Sequence, residues 1–124
     1  MTEGKVSSSD GLEITVHHSD ETITLHLRGR LNIDSSPALR DRLLSILRAQ
    51  SPDAVNVDLI EVTYMDSSGI ATLIEALKIA RTRQTKLCLQ GMQGRLLHLF
   101  RVTGVLTLFE KSGCGSDSSV SQVS

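Results

Sequence analysis

The sequence predicts an α/β protein with a mixed, mostly parallel sheet packed against helices, in the element order β-β-α-β-α-β-α-β. Three observations predict it. Short segments with an apolar residue at every second position alternate with longer ones whose apolar residues recur at three and four, the periods of strand and helix. The first two short segments are joined by a tight polar turn, which favours an antiparallel hairpin. The later ones are separated by helical stretches, which demands crossovers and parallel pairing.

The elements follow in order. Residues 1–10 are polar and are expected to be a flexible N-terminus. Leu12, Ile14 and Val16 alternate with Glu13, Thr15 and His17, giving a strand with one wet face. Asp20-Glu21 makes the turn, and Ile23, Leu25 and Leu27 alternate with Thr24, His26 and Arg28 in a second strand. Gly29 to Ser36 reads as a loop. Ser36-Pro37 is a helix start, with a capping hydroxyl followed by a proline whose missing N–H does no harm there. Leu39, Leu43, Ile46 and Leu47 mark the buried stripe of this helix, Arg40, Asp41 and Arg48 its wet side, and Ser51-Pro52-Asp53 its end.

Val55, Val57 and Leu59, separated by Asn56 and Asp58, form the next strand, and Glu61 to Asp66 reads as a loop. Ile70, Leu73, Ile74 and Leu77 form a second helical stripe, with Glu75, Lys78 and Arg81 outside. Lys86 to Gln90 is a short strand. Leu96, Leu99 and Phe100 mark a third helix, stopped at Thr103-Gly104, where glycine tolerates left-handed geometry. Leu106 to Phe109 reads as a last short strand. Residues 112–124 hold six serines, two glycines and little to bury, and are expected to be disordered.

Composition narrows the function classes. The chain of 124 residues fits one domain, expected over 11–111. Apolar residues make up 40% but aromatics only 2%, so the core must be aliphatic and no platform exists for stacking bases. A formal net charge of −1 gives no basic surface for nucleic acid. No segment approaches the roughly 20 apolar residues of a membrane helix, and the N-terminus lacks the apolar stretch of a signal peptide. The expected compartment is the cytoplasm, with no membrane insertion. Cys88 lies in an alternating run and Cys114 in the serine-rich tail; with no close pair to suggest a metal or redox site, they read as one buried and one exposed thiol.

The informative stretch is Val62-Thr63-Tyr64-Met65-Asp66-Ser67-Ser68-Gly69-Ile70, between a buried strand and an amphipathic helix. In open α/β sheets ligands and partners favour this edge. Asp66 or Ser67 can simply cap the helix. Ser67 can also accept phosphate, with the free amides and positive end of the helix to receive it. Such a phosphate adds a charge of about −1.5 to −2 at a surface that a partner must touch. Spacing alone does not choose between these readings.

The wider pattern resembles the STAS domain family, in particular the stand-alone bacterial anti-sigma factor antagonists. The matching residues are Asp66-Ser67-Ser68-Gly69-Ile70 preceded by Val57-Asp58-Leu59 and Met65. A second match is Leu27-Arg28-Gly29-Arg30-Leu31 leading into Ala38-Leu39, and a third runs from Arg95-Leu96 through Thr103-Gly104-Val105 to Leu108-Phe109. The resemblance covers roughly residues 12–110, and the inferred element order agrees with the family fold.

The resemblance implies a partner switch. An unphosphorylated antagonist binds an anti-sigma factor that is also a serine kinase, and so frees a sigma factor. The kinase phosphorylates the first serine of the motif and the complex separates; a serine phosphatase resets it. Carried over, Ser67 is the acceptor and Asp66 flanks and places it. Ser68 and Gly69 form the helix start, where glycine lets a partner approach. Met65 and Ile70 pack in the core or form an apolar rim. After Gly29-Arg30-Leu31 many relatives carry Asp where this chain has Asn32, which keeps an acceptor oxygen but loses the charge. Asp34 lies two residues on and could replace that charge in part. The partner-binding set is thus Asn32, Asp34, Met65, Asp66, Ser67, Ser68, Gly69 and Ile70.

No cofactor or metal site is expected. His17, His18 and His26 read as exposed strand residues and His98 as a boundary residue of the third helix, with no ligand spacing among them. Ser67 has no histidine partner in the motif and Gly-x-Ser-x-Gly is absent, so no enzyme is expected. Two further readings keep the fold: a non-switching STAS subunit supporting an ABC transporter ATPase, and a scaffold of a stress-signalling complex. The intact Asp-Ser-Ser-Gly favours the switch.

Overall fold

A computed structural model describes residues 5–9, 11–50 and 52–110. Five strands, β1 (Lys5–Ser9), β2 (Leu12–Ser19), β3 (Thr22–Leu31), β4 (Ala54–Met65) and β5 (Lys86–Gln90), form one sheet in sequential order. The β1–β2 and β2–β3 pairs are antiparallel, and β3–β4 and β4–β5 are parallel. The helices are α1 (Ser36–Ala49), α2 (Ser67–Thr82), α3 (Gly94–Val102) and α4 (Val105–Phe109).

Alternation does what the sequence demands. Leu12, Ile14 and Val16 of β2, Ile23, Leu25 and Leu27 of β3, Val55, Val57 and Leu59 of β4, and Leu87 and Leu89 of β5 are all buried. They form a single cluster with Leu39, Leu43 and Leu47 of α1, Leu73, Ala76 and Ala80 of α2, Phe100 of α3, and Val105 and Phe109 of α4. The other sheet face is polar and half-exposed, carrying Glu13, Thr15, Thr24, His26, Asn56 and Asp58. On the outside, α1 and α2 are tied by Arg40, whose Nε and Nη2 donate to the two carboxylate oxygens of Glu75 at 2.8 Å each. Arg83, just past α2, donates to the carbonyls of Leu47 and Arg48 at the end of α1.

Several boundaries differ from the sequence reading. Within the N-terminus expected to be flexible, Lys5–Ser9 pairs with β2 from Lys5↔Val16 to Ser9↔Leu12; backbone pairing on a free edge does not need apolar side chains. This strand adds an antiparallel junction and makes the sheet evenly mixed. The loop expected from Gly29 is strand as far as Leu31. Gly29 sits at φ +115°, and a Cβ there would lie 2.1 Å from the Gly11 carbonyl oxygen. Ser36 is the first residue of α1 rather than its cap: its Oγ donates back to the Asn32 carbonyl at 2.7 Å, and Ser35 precedes the helix.

The α/β class stands, but the last strand does not: residues 105–109 form the short helix α4, entered through Gly104 at φ +82°. Val105 and Phe109 are buried four residues apart while Thr107 between them is exposed, which is helical and not strand spacing. Cys88, expected to be a buried thiol, is half-buried in β5. Cys114 and the tail expected to be disordered over 112–124 lie outside the described residues.

The segment expected to be a loop from Glu61 is the continuation of β4, and this positions the site. The register runs His26↔Asp58, then Arg28↔Glu61, then Gly29↔Val62, then Arg30↔Tyr64. Twice β4 carries one more residue than β3, so it holds two bulges. The first turns Val62 towards the core, against which it packs; the second restores the original phase and buries Met65 opposite Leu31. Tyr64 is left on the outer face.

Candidate functional site

The chain leaves β4 at Met65 and enters α2 within one residue. Asp66, extended at φ −112° and ψ −171°, is the N-cap. Its Oδ1 accepts from the backbone N–H of Ser68 at 2.9 Å and of Gly69 at 3.4 Å, and from the Ser68 hydroxyl at 2.6 Å. The Ser68 hydroxyl, above all, and the amides of Ser68, Gly69 and Ile33 hold the Asp66 carboxyl below its ordinary range against the opposing effect of desolvation. The amides that were expected to receive a phosphate are therefore already bonded to this carboxylate.

The two serines of the motif have opposite fates. Ser67, the first helical residue, is exposed, and among the described residues nothing bonds its hydroxyl. Ser68 is half-buried and turned inward, between Asp66 and the Ser36 hydroxyl at 3.4 Å. Gly69 is buried: a Cβ there would lie 2.8 Å from Cγ of both Leu31 and Met65. The close seating of α2 on β3 and β4 itself demands glycine at this position. Met65 is likewise buried and Ile70 half-buried against the core, so neither is a freely exposed rim.

The loop after β3 lies against this helix start. The Asp66 N–H donates to the Leu31 carbonyl at 3.2 Å, and Ser36 of α1 reaches Ser68. Asn32 Oδ1 accepts from the N–H groups of Asp34 at 2.9 Å and Ser35 at 3.2 Å, and the Asn32 N–H donates to Ser35 Oγ at 3.0 Å. Asn32 thus shapes its own loop, a task that needs an acceptor oxygen and no charge. Asp34 is exposed on the same loop.

The fold brings together Asp66, Ser67, Ser68 and the loop holding Asn32 and Asp34, with Gly69 and Met65 beneath. It adds residues that sequence reasoning missed. Arg30 lies over the Tyr64 ring at 5.5 Å, a cation–π pair set by the Arg30↔Tyr64 register. Ile33 is 72% exposed and Tyr64 47%. An isolated exposed isoleucine next to Asn32 is the one signal in the sequence that could have marked this loop as a contact surface.

Among the described residues no histidine bonds Ser67, and no group of three His, Cys, Asp or Glu side chains could hold a metal. Among the same residues no helix is long and apolar enough to cross a membrane.

A family model described as "Mlab, STAS domain" matches residues 14–110. The chain is similar to the anti-sigma-B factor antagonist of Listeria monocytogenes, at 31% identity over 99 residues, 80% of this chain and 85% of that protein. Among solved structures it is similar to an anti-sigma factor antagonist from Mycobacterium paratuberculosis, with TM-score 0.70, 21% identity and coverage of 83% and 86%. It is also similar to the Bacillus cell fate determinant SpoIIAA in its phosphorylated form, with TM-score 0.61, 14% identity and coverage of 82% and 84%. These two structural likenesses are likenesses of fold.

Proposed function

The chain belongs to the STAS domain family, and from that premise we propose that it is a cytoplasmic anti-sigma factor antagonist switched by phosphorylation of Ser67. Unphosphorylated, it binds an anti-sigma factor that is also a serine kinase and so frees a sigma factor. The kinase moves the γ-phosphoryl group of ATP to Ser67 Oγ: the new O–P bond forms, the anhydride bond to ADP breaks, and the serine proton passes to a base of the kinase. A serine phosphatase resets the switch. Partner contact involves Ser67, Asp66, Asp34 and the loop shaped by Asn32, with Ser68, Gly69, Met65 and Ile70 supporting the helix start from below. The protein itself is a substrate and ligand, not an enzyme.

The observation that carries this reading is the exposed, unbonded Ser67 hydroxyl at the first turn of α2. A phosphate there adds about −1.5 to −2 of charge beside the Asp66 carboxylate. The Ser68 and Gly69 amides are already capped by Asp66, so the new charge stays at the surface and repels a partner that accommodated the neutral serine. The non-switching transporter subunit and the signalling scaffold do not require this hydroxyl to be free.

The test is to incubate the purified protein with lysate of its own cells and ATP, then map phosphate by peptide mass spectrometry. Phosphate on Ser67 supports the switch. No phosphate, with a kinase active on a control substrate, favours the transporter subunit or the scaffold.

A further inference from the structure

The polar face of the sheet carries an arrangement that the Ser67 edge does not use. His26 of β3 is bonded through both ring nitrogens: Nδ1 lies 2.8 Å from Asp58 Oδ2, and Nε2 lies 3.1 Å from Glu61 Oε1. Ionised carboxylates only accept hydrogen bonds, so both contacts are satisfied together only when both nitrogens carry protons. The geometry therefore describes an imidazolium between two carboxylates.

Its place in the strand gives it a role. Asp58 is the direct partner of His26, while Glu61 lies beyond the extra residue of the first β4 bulge. Asp58 also closes the bulge, its Oδ1 accepting from the Ile60 N–H at 3.1 Å. Gly91, after β5, presses on the same spot: a Cβ there would lie 2.8 Å from both Asp58 Oδ1 and Ile60 N. One charged ring thus holds the two sides of the irregularity that re-aims the end of β4.

Of the groups that face His26, the carboxylates of Asp58 and Glu61 are its direct partners. Arg28, two residues along β3, opposes its charge but faces Glu13 of β2 at 3.7 Å. Thr15 of β2 lies beside His26, and Gln90 of β5 beside Asp58, and neither is charged. His17, opposite Thr24, is the next titratable group along β2. The buried Leu39, Leu43 and Leu47 of α1, Leu73 and Leu77 of α2 and Phe100 of α3 join the cluster on the other face of the sheet.

We propose that His26 is a pH-responsive positioning residue: its protonated ring clasps Asp58 and Glu61 across the first β4 bulge, and loss of the proton loosens residues 60–66. This does not depend on Ser67 being a phosphate acceptor. Desolvation lowers the affinity of the ring for its proton, but the hydrogen bonds and charges of Glu61 and Asp58 outweigh it and raise the pKa above the ordinary value. For a raised value, stabilisation is complete below the unfolded pKa of about 6.5 and is lost as pH rises through the folded one.

The test is an NMR titration of the full chain, following the His26 ring and the backbone amides together from about pH 5.5 to about pH 9.5. The expected result is a His26 midpoint above about 6.5, with amides of Ile60, Glu61 and Tyr64 following that same midpoint. In Glu61→Gln the common midpoint shifts down, and in His26→Gln the inflection of these amides disappears. A ring midpoint at or below about 6.5, or a raised midpoint with amides of residues 60–66 that do not follow it, overturns the proposal. Should His26→Gln not fold, Glu61→Gln alone decides: an unchanged ring midpoint overturns the clasp.

Discussion

Ser68 Oγ donates to Asp66 Oδ1 at 2.6 Å, so the two polar residues that bracket Ser67 are bonded to each other and not to it. The hydroxyl proton of Ser68 is committed inside the helix cap, with the Ser36 hydroxyl behind it at 3.4 Å. Ser67 makes no such bond among the described residues and stands in solvent at the first turn. Of the two adjacent serines, Ser67 presents the available hydroxyl at this edge.

Phosphate incorporation should therefore follow Ser67 alone. Ser67→Ala should abolish labelling and Ser68→Ala should retain it, read as phosphopeptides by mass spectrometry. Equal labelling of Ser67→Ala and wild type would make Ser68 the acceptor. Ser67→Asp should keep the fold, since the side chain is exposed, yet weaken capture of the partner at least tenfold, about 1.4 kcal/mol. Titration of the partner against both forms measures it.

The cap itself has a pH signature. Asp66 is held below its ordinary pKa by the Ser68 hydroxyl first, and then by backbone amides. A depressed folded pKa contributes stability that is present above the unfolded value of about 3.9 and lost as pH falls through the folded one. Asp66→Asn keeps an oxygen for the amides but loses the charge. Its urea midpoint should lie below that of wild type at neutral pH, and the gap should close in acid. A gap that persists unchanged at about pH 2.5 would assign the loss to geometry instead of charge.

What the sequence made legible is what alternation and helical spacing encode. Leu12, Ile14 and Val16, the Leu39-Leu43-Leu47 stripe and the entry into α2 at Asp66-Ser67 sit where the pattern places them, because each buries one face. The end of β4 was not legible. Ile60 to Tyr64 break the alternation because two bulges shift its phase, so they read as a loop. The backbone ladder to β3 continues regardless, since it needs no particular side chain. The Arg30–Tyr64 stack and the His26–Glu61 contact both depend on that shifted register and were hidden with it. At the site, the position of Ser67 was legible. The inward turn of Ser68 and the structural purpose of Gly69 depend on Ser36 and Leu31, distant in the chain, as well as on the nearby Met65.

Gly69 gives a packing prediction with two opposing terms. Alanine in a helix interior gains up to about 1 kcal/mol over glycine, and less in the first turn, where residue 69 lies. Against it, a Cβ at 2.8 Å from Leu31 Cγ and Met65 Cγ meets branch and mid-chain atoms that are themselves buried and cannot swing away. Overpacking of this kind costs about 1–3 kcal/mol. Gly69→Ala should therefore destabilise by a net amount of about 1 kcal/mol in urea titration. A stabilised variant would mean that α2 can lift from the sheet freely. Because Ser67 rides on the same turn, phosphate labelling of Ser67 should also slow.

The last segment offers a direct contest between helix and strand. In a strand, Val105, Thr107 and Phe109 would share one face; in a helix, Val105 and Phe109 share it and Thr107 points away. The structure has Val105 and Phe109 buried and Thr107 exposed. Phe109→Ala should cost about 3–5 kcal/mol, the range for emptying a buried aromatic site. Thr107→Lys should stay within about 0.5 kcal/mol of wild type, as an exposed substitution that touches no cap or core contact. Both are read from urea midpoints at equal slope. If Thr107→Lys proves as damaging as Phe109→Ala, residues 105–109 pair as a strand and the helical assignment fails. Only a helix leaves residue 107 free to carry a charge while its neighbours two positions away on either side fill the core.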